Sequence, residues 1–142
     1  MSFLSKSFSS GSGKSASTSS ESTSEPVAMS FHAGAKDRKI PIISGDNIAL
    51  HDIASSEKFD SDKPITCGFY RVDKGAPFTY TYTYHEMKIV VEGEFDISDE
   101  TGQKVHAVAG DVFYFPKGSK ITFTSETYGL AFFTGQRFEG QL

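Results

Sequence analysis

The chain has 142 residues, 37% of them hydrophobic, and a net charge of −4. That is enough material for one small core and no more. A mildly acidic chain with no basic run argues against nucleic acid as the partner and against a polybasic membrane anchor.

Residues 1–30 hold thirteen serines and almost no core-forming side chains. Such a segment cannot bury enough surface to offset its ordering entropy, so it reads as a disordered tail ahead of a domain over 31–142. No apolar stretch has the length of a membrane span or a secretory signal, which favours a cytoplasmic protein. A transit peptide is the weaker alternative: residues 1–20 lack acids but also lack Arg. Cys67 is alone, so neither an internal disulfide nor a thiolate zinc site is available.

From Phe31 onward the pattern is one of short strands. Lys39–Ile43 is apolar and β-branched, with Pro41 marking an edge. Ile65–Val72 lies between Pro64 and an Asp73-Lys74-Gly75 turn. Phe78–Tyr84 alternates aromatics with Thr, which is strong evidence for a pleated strand. Met87–Val91 and Glu94–Ser98 flank Gly93. An Asp99–Gly102 turn leads to Lys104–Ala109, and Gly110-Asp111 leads to Val112–Phe115. After Pro116-Lys117-Gly118 come Ile121–Thr124 and Gly129–Thr134. Turns recur roughly every 8–12 residues and no segment carries a helical stripe, so the fold class is all-β, a sandwich or barrel.

Two clusters carry more information. Glu86 is followed by six residues and Gly93, and Gly110 by five residues and Pro116-Lys117-Gly118. These spacings resemble the two motifs of the cupin superfamily, whose fold is a double-stranded β-helix or jelly-roll barrel. The resemblance covers about residues 38–138. The metal-binding part departs from it: the His-x-His positions hold Tyr80 and Tyr82, or Thr79 and Thr81. Ile121 stands where the third histidine belongs, and Ser125 where an Asn is common. Only Glu86 remains of the usual metal set, and one carboxylate among hydroxyls is a poor transition-metal site. No cofactor and no metal are therefore expected.

The run from Tyr82 through Glu86 to Phe95 is similar to the EutQ-like, ethanolamine-utilisation branch of cupins, which also lacks the paired histidines. That resemblance implies a homodimeric barrel of small-molecule scale. Acetate kinase activity is attributed within the branch, but the sequence shows no phosphate-cradling P-loop.

If Glu86 faces the interior, alternation puts Lys88, Tyr84, Tyr82 and Tyr80 on the same face, unless a turn within the first motif breaks the phase. Ile121 and Phe123 would join them, with Tyr114 or Phe113, and Arg71 or Tyr70. An aromatic pocket with one carboxylate suits a drug-sized ligand. The expected function is metal-independent isomerase, lyase or cyclase chemistry. In it Glu86 moves the proton, Tyr80, Tyr82 and Lys88 stabilise negative charge, and Arg71, Tyr84, Tyr114, Ile121 and Phe123 bind substrate. Two alternatives stay open: a non-catalytic ligand-binding or assembly protein, and a metal enzyme with an atypical site.

Overall fold

The computed structural model describes residues 11–15 and 24–142. Most of the Ser-rich tail expected over 1–30 thus lies outside the described residues. The described part of Met1–Phe31 contains neither strand nor helix and is exposed. His32–Leu142 is a separate compact unit, and no helix among the described residues is long and apolar enough to cross a membrane.

Its strands are β1 (Ile42–Ser44), β2 (Ile48–Ser55), β3 (Thr66–Asp73), β4 (Phe78–Thr81), β5 (Glu86–Asp99), β6 (Lys104–Val108), β7 (Val112–Phe115), β8 (Lys120–Thr124) and β9 (Tyr128–Gly135). One antiparallel sheet runs β1-β2-β3-β9-β5-β7 and the other β4-β8-β5-β6. Facing side chains from both fill the space between them, with Phe95, Phe123, Phe133, Val72 and Val90 almost fully enclosed. β7 has the predicted bounds. β2 was not expected: its sequence, Ile-Ala-Leu-His-Asp-Ile-Ala-Ser, does not alternate, and most of the strand is only half-buried.

The two segments expected on either side of Gly93 are one strand. The first half of β5 pairs with β9 and β7, and the second half with β6 and β8. The register on β9 shifts between Val90 and Glu92. This bulge inserts one residue and reverses which side chains face inward. Before it Glu86, Lys88 and Val90 are buried; after it Phe95 and Ile97 are. Gly93 sits at the kink with φ +70°, and a Cβ there would lie 2.1 Å from the Tyr128 carbonyl oxygen. Only glycine fits that position.

Candidate active site

Alternation holds from Phe78 to Val90 despite the bend between β4 and β5. Tyr82, Tyr84, Glu86 and Lys88 are all nearly inaccessible to solvent, and Tyr80 is half-buried. The polar centre is the Glu86 carboxylate. Lys88 Nζ donates to its Oε2 at 2.7 Å, and the Tyr82 hydroxyl donates to the same oxygen. Lys88 lies two residues along β5 on the same face, which is why the pair forms locally. Its Nζ also sits 4.7 Å from the Tyr70 ring centroid and 5.0 Å from that of Phe133, with Phe123 and Phe115 somewhat farther away. Those π faces partly replace the hydration the ammonium has lost.

Burial dominates the titration of Lys88, Tyr82 and Tyr70. It pushes the Lys88 ammonium below its ordinary value, against the opposing pull of Glu86. Burial, with the Glu86 charge added, raises the Tyr82 and Tyr70 phenols far enough that both remain protonated donors. The Tyr70 hydroxyl is buried and has no hydrogen-bond partner among the described residues. Tyr70, Tyr80, Tyr82, Tyr84, Glu86 and Lys88 line a cavity of about 50 Å³, together with Ile43, Leu50, Phe78, Phe123 and Leu142. That is far less than the roughly 300–1,000 Å³ of a drug-sized site. The tyrosines pack edge-on or stacked against one another and against Phe115, filling the barrel. The space left suits a ligand of a few heavy atoms.

The other expected site residues divide. Phe123 lines the cavity, and Ile121 belongs to the buried core beside it. Tyr80 lines the cavity but makes no hydrogen bond to Glu86. Arg71 and Tyr114 are not part of the site. Strand phase turns Tyr70 and Phe113 inward, so Arg71 grips the Asp73 carboxylate and lies over the Tyr128 ring outside the barrel. Tyr114 hydrogen-bonds His85 Nδ1 along a separate groove of about 530 Å³.

A buried cation was missed from the sequence alone. Arg137, just past β9, is fully enclosed. Its two terminal nitrogens bond the Asp52 carboxylate at 2.6 and 2.9 Å, and its guanidinium carbon lies 5.2 Å from the Phe133 ring centroid. The partners are 85 residues apart, and no local pattern announces them.

A cupin metal does not fit the interior. The Glu86 oxygen that would bind it already holds an ammonium and a phenol, and the neighbouring positions supply phenols and hydrocarbon. Among the described residues, one group of potential metal ligands comes together elsewhere. Glu94, Asp96 and His106 meet on the outer face of the β5–β6 hairpin, where His106 Nδ1 is 2.8 Å from Asp96 and Glu94 Oε1 accepts bonds from Ser125, Glu126 and Thr127.

A model of the family described as ethanolamine utilisation protein EutQ matches residues 35–134. A curated relative from Salmonella typhimurium, named acetate kinase EutQ, is 36% identical over 80 residues, which make up 56% of this chain and 33% of the relative. The chain thus aligns with about a third of that protein's length. The crystal structure of an ethanolamine utilization protein Q from the same organism superposes with a TM-score of 0.54 at 32% identity, covering 63% of this chain and 68% of the other. An RmlC-like cupin from Shewanella frigidimarina gives a TM-score of 0.59 at 19% identity over 80% of this chain and 95% of the other. The fold is that of the cupins.

Proposed function

The chain belongs to the EutQ family, and on that premise we propose that its barrel binds a small oxygen-bearing metabolite beside Glu86 and acts on it by acid–base chemistry without a metal. The observation that supports this reading best is the buried Glu86–Lys88–Tyr82 network at the wall of a cavity with room for a few heavy atoms. A carboxylate in contact with a protonated amine can take a proton there and, once protonated, return it. The ammonium and the phenol then hold negative charge that develops on a substrate oxygen, in a site where water does not weaken the attraction. A proton moving between a carbon and an oxygen of the substrate is isomerisation, and loss of a β-substituent after the same abstraction is elimination.

The test has two arms. Carboxylates, hydroxy acids and carbonyl compounds of about two to four carbons, the size such a cavity admits, are titrated against the full chain while the tyrosine ring signals are followed by NMR. A binder is expected to move the Tyr70, Tyr82 and Tyr84 resonances, and Glu86→Gln is expected to keep its affinity while lowering turnover by about 10²–10⁴. Unchanged turnover would remove Glu86 from the chemistry. Binding without any turnover in the wild type would favour the non-catalytic reading.

The relatives' name, acetate kinase, supports a second reading, phosphoryl transfer to acetate. It is favoured by the cavity size and by a cation placed to meet a carboxylate. Acetyl phosphate formed from acetate and ATP, and lost in Glu86→Gln, would decide for it.

We also propose that the chain forms a homodimer. Phe69, Phe132, Ile89, Met87 and Val112 share the outer face of the larger sheet through their register, and the last three are more than a third exposed. A second copy of this chain is the occupant proposed for that face. Sedimentation is expected to give twice the chain mass, reverting to one chain in Met87→Lys; a monomer in the wild type removes the proposal.

A further inference from the structure

Lys88 is the one group in the cavity with nucleophilic capacity that acid–base chemistry alone leaves unused, and its surroundings are unusual for a side chain meant only to neutralise Glu86. We propose that Lys88 attacks small aldehydes or ketones and holds them as an imine, with Glu86 carrying the protons; this rests on the reading of the cavity as a small-metabolite site. Four observations converge on it. Nζ is fully enclosed and bonded to a carboxylate at 2.7 Å, so a proton acceptor is already in contact with it. Glu86 is in turn bonded by Tyr82, which stays protonated. The Tyr70 hydroxyl, on a residue that lines the same cavity, has no partner among the described residues to donate to, so a carbonyl oxygen would satisfy it. The aromatic faces around Nζ favour a cation there, whether it is the starting ammonium or the product iminium.

The step balances without an added reagent. Lys88 passes one ammonium proton to Glu86, and the freed nitrogen lone pair forms a C–N bond at the carbonyl carbon. The C=O π pair moves to oxygen, which takes the proton back from Glu86 as the carbinolamine hydroxyl. Glu86 then accepts the second nitrogen proton and delivers it to that hydroxyl, which leaves as water while the nitrogen pair forms C=N. Ammonium plus aldehyde becomes iminium plus water, and the charge in the cage is unchanged throughout. Burial lowers the proton affinity of Lys88, which makes the first transfer less costly.

The test is reductive trapping in the full chain with propanal and cyanoborohydride slightly below neutral pH. Intact mass and peptide mapping are expected to show one propyl group per chain, placed at Lys88 at least ten-fold faster than at Lys104 or Lys117. Glu86→Gln is expected to slow the labelling at Lys88 at least ten-fold. The doubly substituted Glu86→Gln/Lys88→Met chain is expected to lose the fast site entirely, and its circular dichroism shows whether it is folded. Labelling at Lys88 no faster than at the exposed lysines overturns the proposal. Tyrosine shifts with propanal but no adduct would sink the imine while sparing the small-metabolite reading, and neither shifts nor adduct with any carbonyl probe or carboxylate would sink both.

Discussion

Lys88→Met is expected to lower the unfolding free energy by about 3–5 kcal/mol, the usual cost of leaving one member of an enclosed ion pair without its partner. Among the described residues Glu86 has no second cation in hydrogen-bond contact; its other bonded neighbour is the Tyr82 phenol. The methionine nearly matches the lysine stem in volume, so little of the loss is packing. The informative comparison is the doubly substituted Glu86→Gln/Lys88→Met chain, which removes both charges and is expected to recover most of the lost stability. Urea denaturation of the four species closes the cycle. A Lys88→Met chain within about 1 kcal/mol of wild type would mean that the pair carries little charge in the folded protein, contrary to an ion pair sealed in the barrel.

Asp52→Ala is expected to cost a similar amount, about 3–5 kcal/mol, for a different structural reason. The Asp52 carboxylate accepts two bonds from Arg137 and one from the Gly140 amide, at 2.7 Å, so it fixes the segment after β9 as well as neutralising an enclosed guanidinium. Arg137→Lys is not expected to rescue the contact, because a single ammonium does not reproduce the two-pronged geometry. Burial raises the Asp52 pKa, but the Arg137 hydrogen bonds and the Gly140 amide outweigh it and hold the carboxyl below its ordinary value of 3.8. Its contribution is therefore complete above the ordinary value and fades as pH falls through the lower folded one. Acid unfolding followed by tryptophan-independent means, such as far-ultraviolet circular dichroism, is expected to show that part of the loss in wild type and not in Asp52→Asn. An equally steep acid limb in Asp52→Asn would assign the sensitivity to other carboxylates.

The barrel was legible because its chemistry is periodic. Thr alternating with aromatics from Phe78 to Tyr84 fixes one face of a strand, and carrying that phase onward places Glu86 and Lys88 inside without knowledge of the partner strands. The same arithmetic left Arg71 against Tyr70, and Tyr114 against Phe113, undecided. Nothing within Ile65–Val72 or Val112–Phe115 marks which side is wet; only pairing with β9 and β5 sets it. β2 escaped notice because Ala49, Asp52 and Ala54 interrupt any alternation. Arg137 escaped because its meaning lies in Asp52, on a strand far away in the chain. The cavity was overestimated because phenol rings counted as walls are also filling: Tyr80, Tyr82 and Tyr84 occupy much of the volume they enclose.

The extra residue in β5 also has a consequence for how this barrel tolerates change in length. Upstream of it even-numbered side chains look in; downstream odd-numbered ones do. The kink thus acts as a parity switch, and deleting the one residue that makes it would propagate an error along half the strand. Phe95 and Ile97 would be turned out to water, while Glu94 and Asp96 would be turned into hydrocarbon. Length variation in this protein is therefore tolerable in the Asp99–Gly102 hairpin, where the chain is already in solvent, and forbidden at the bulge between Val90 and Glu92, where a missing residue would swap oil for acid.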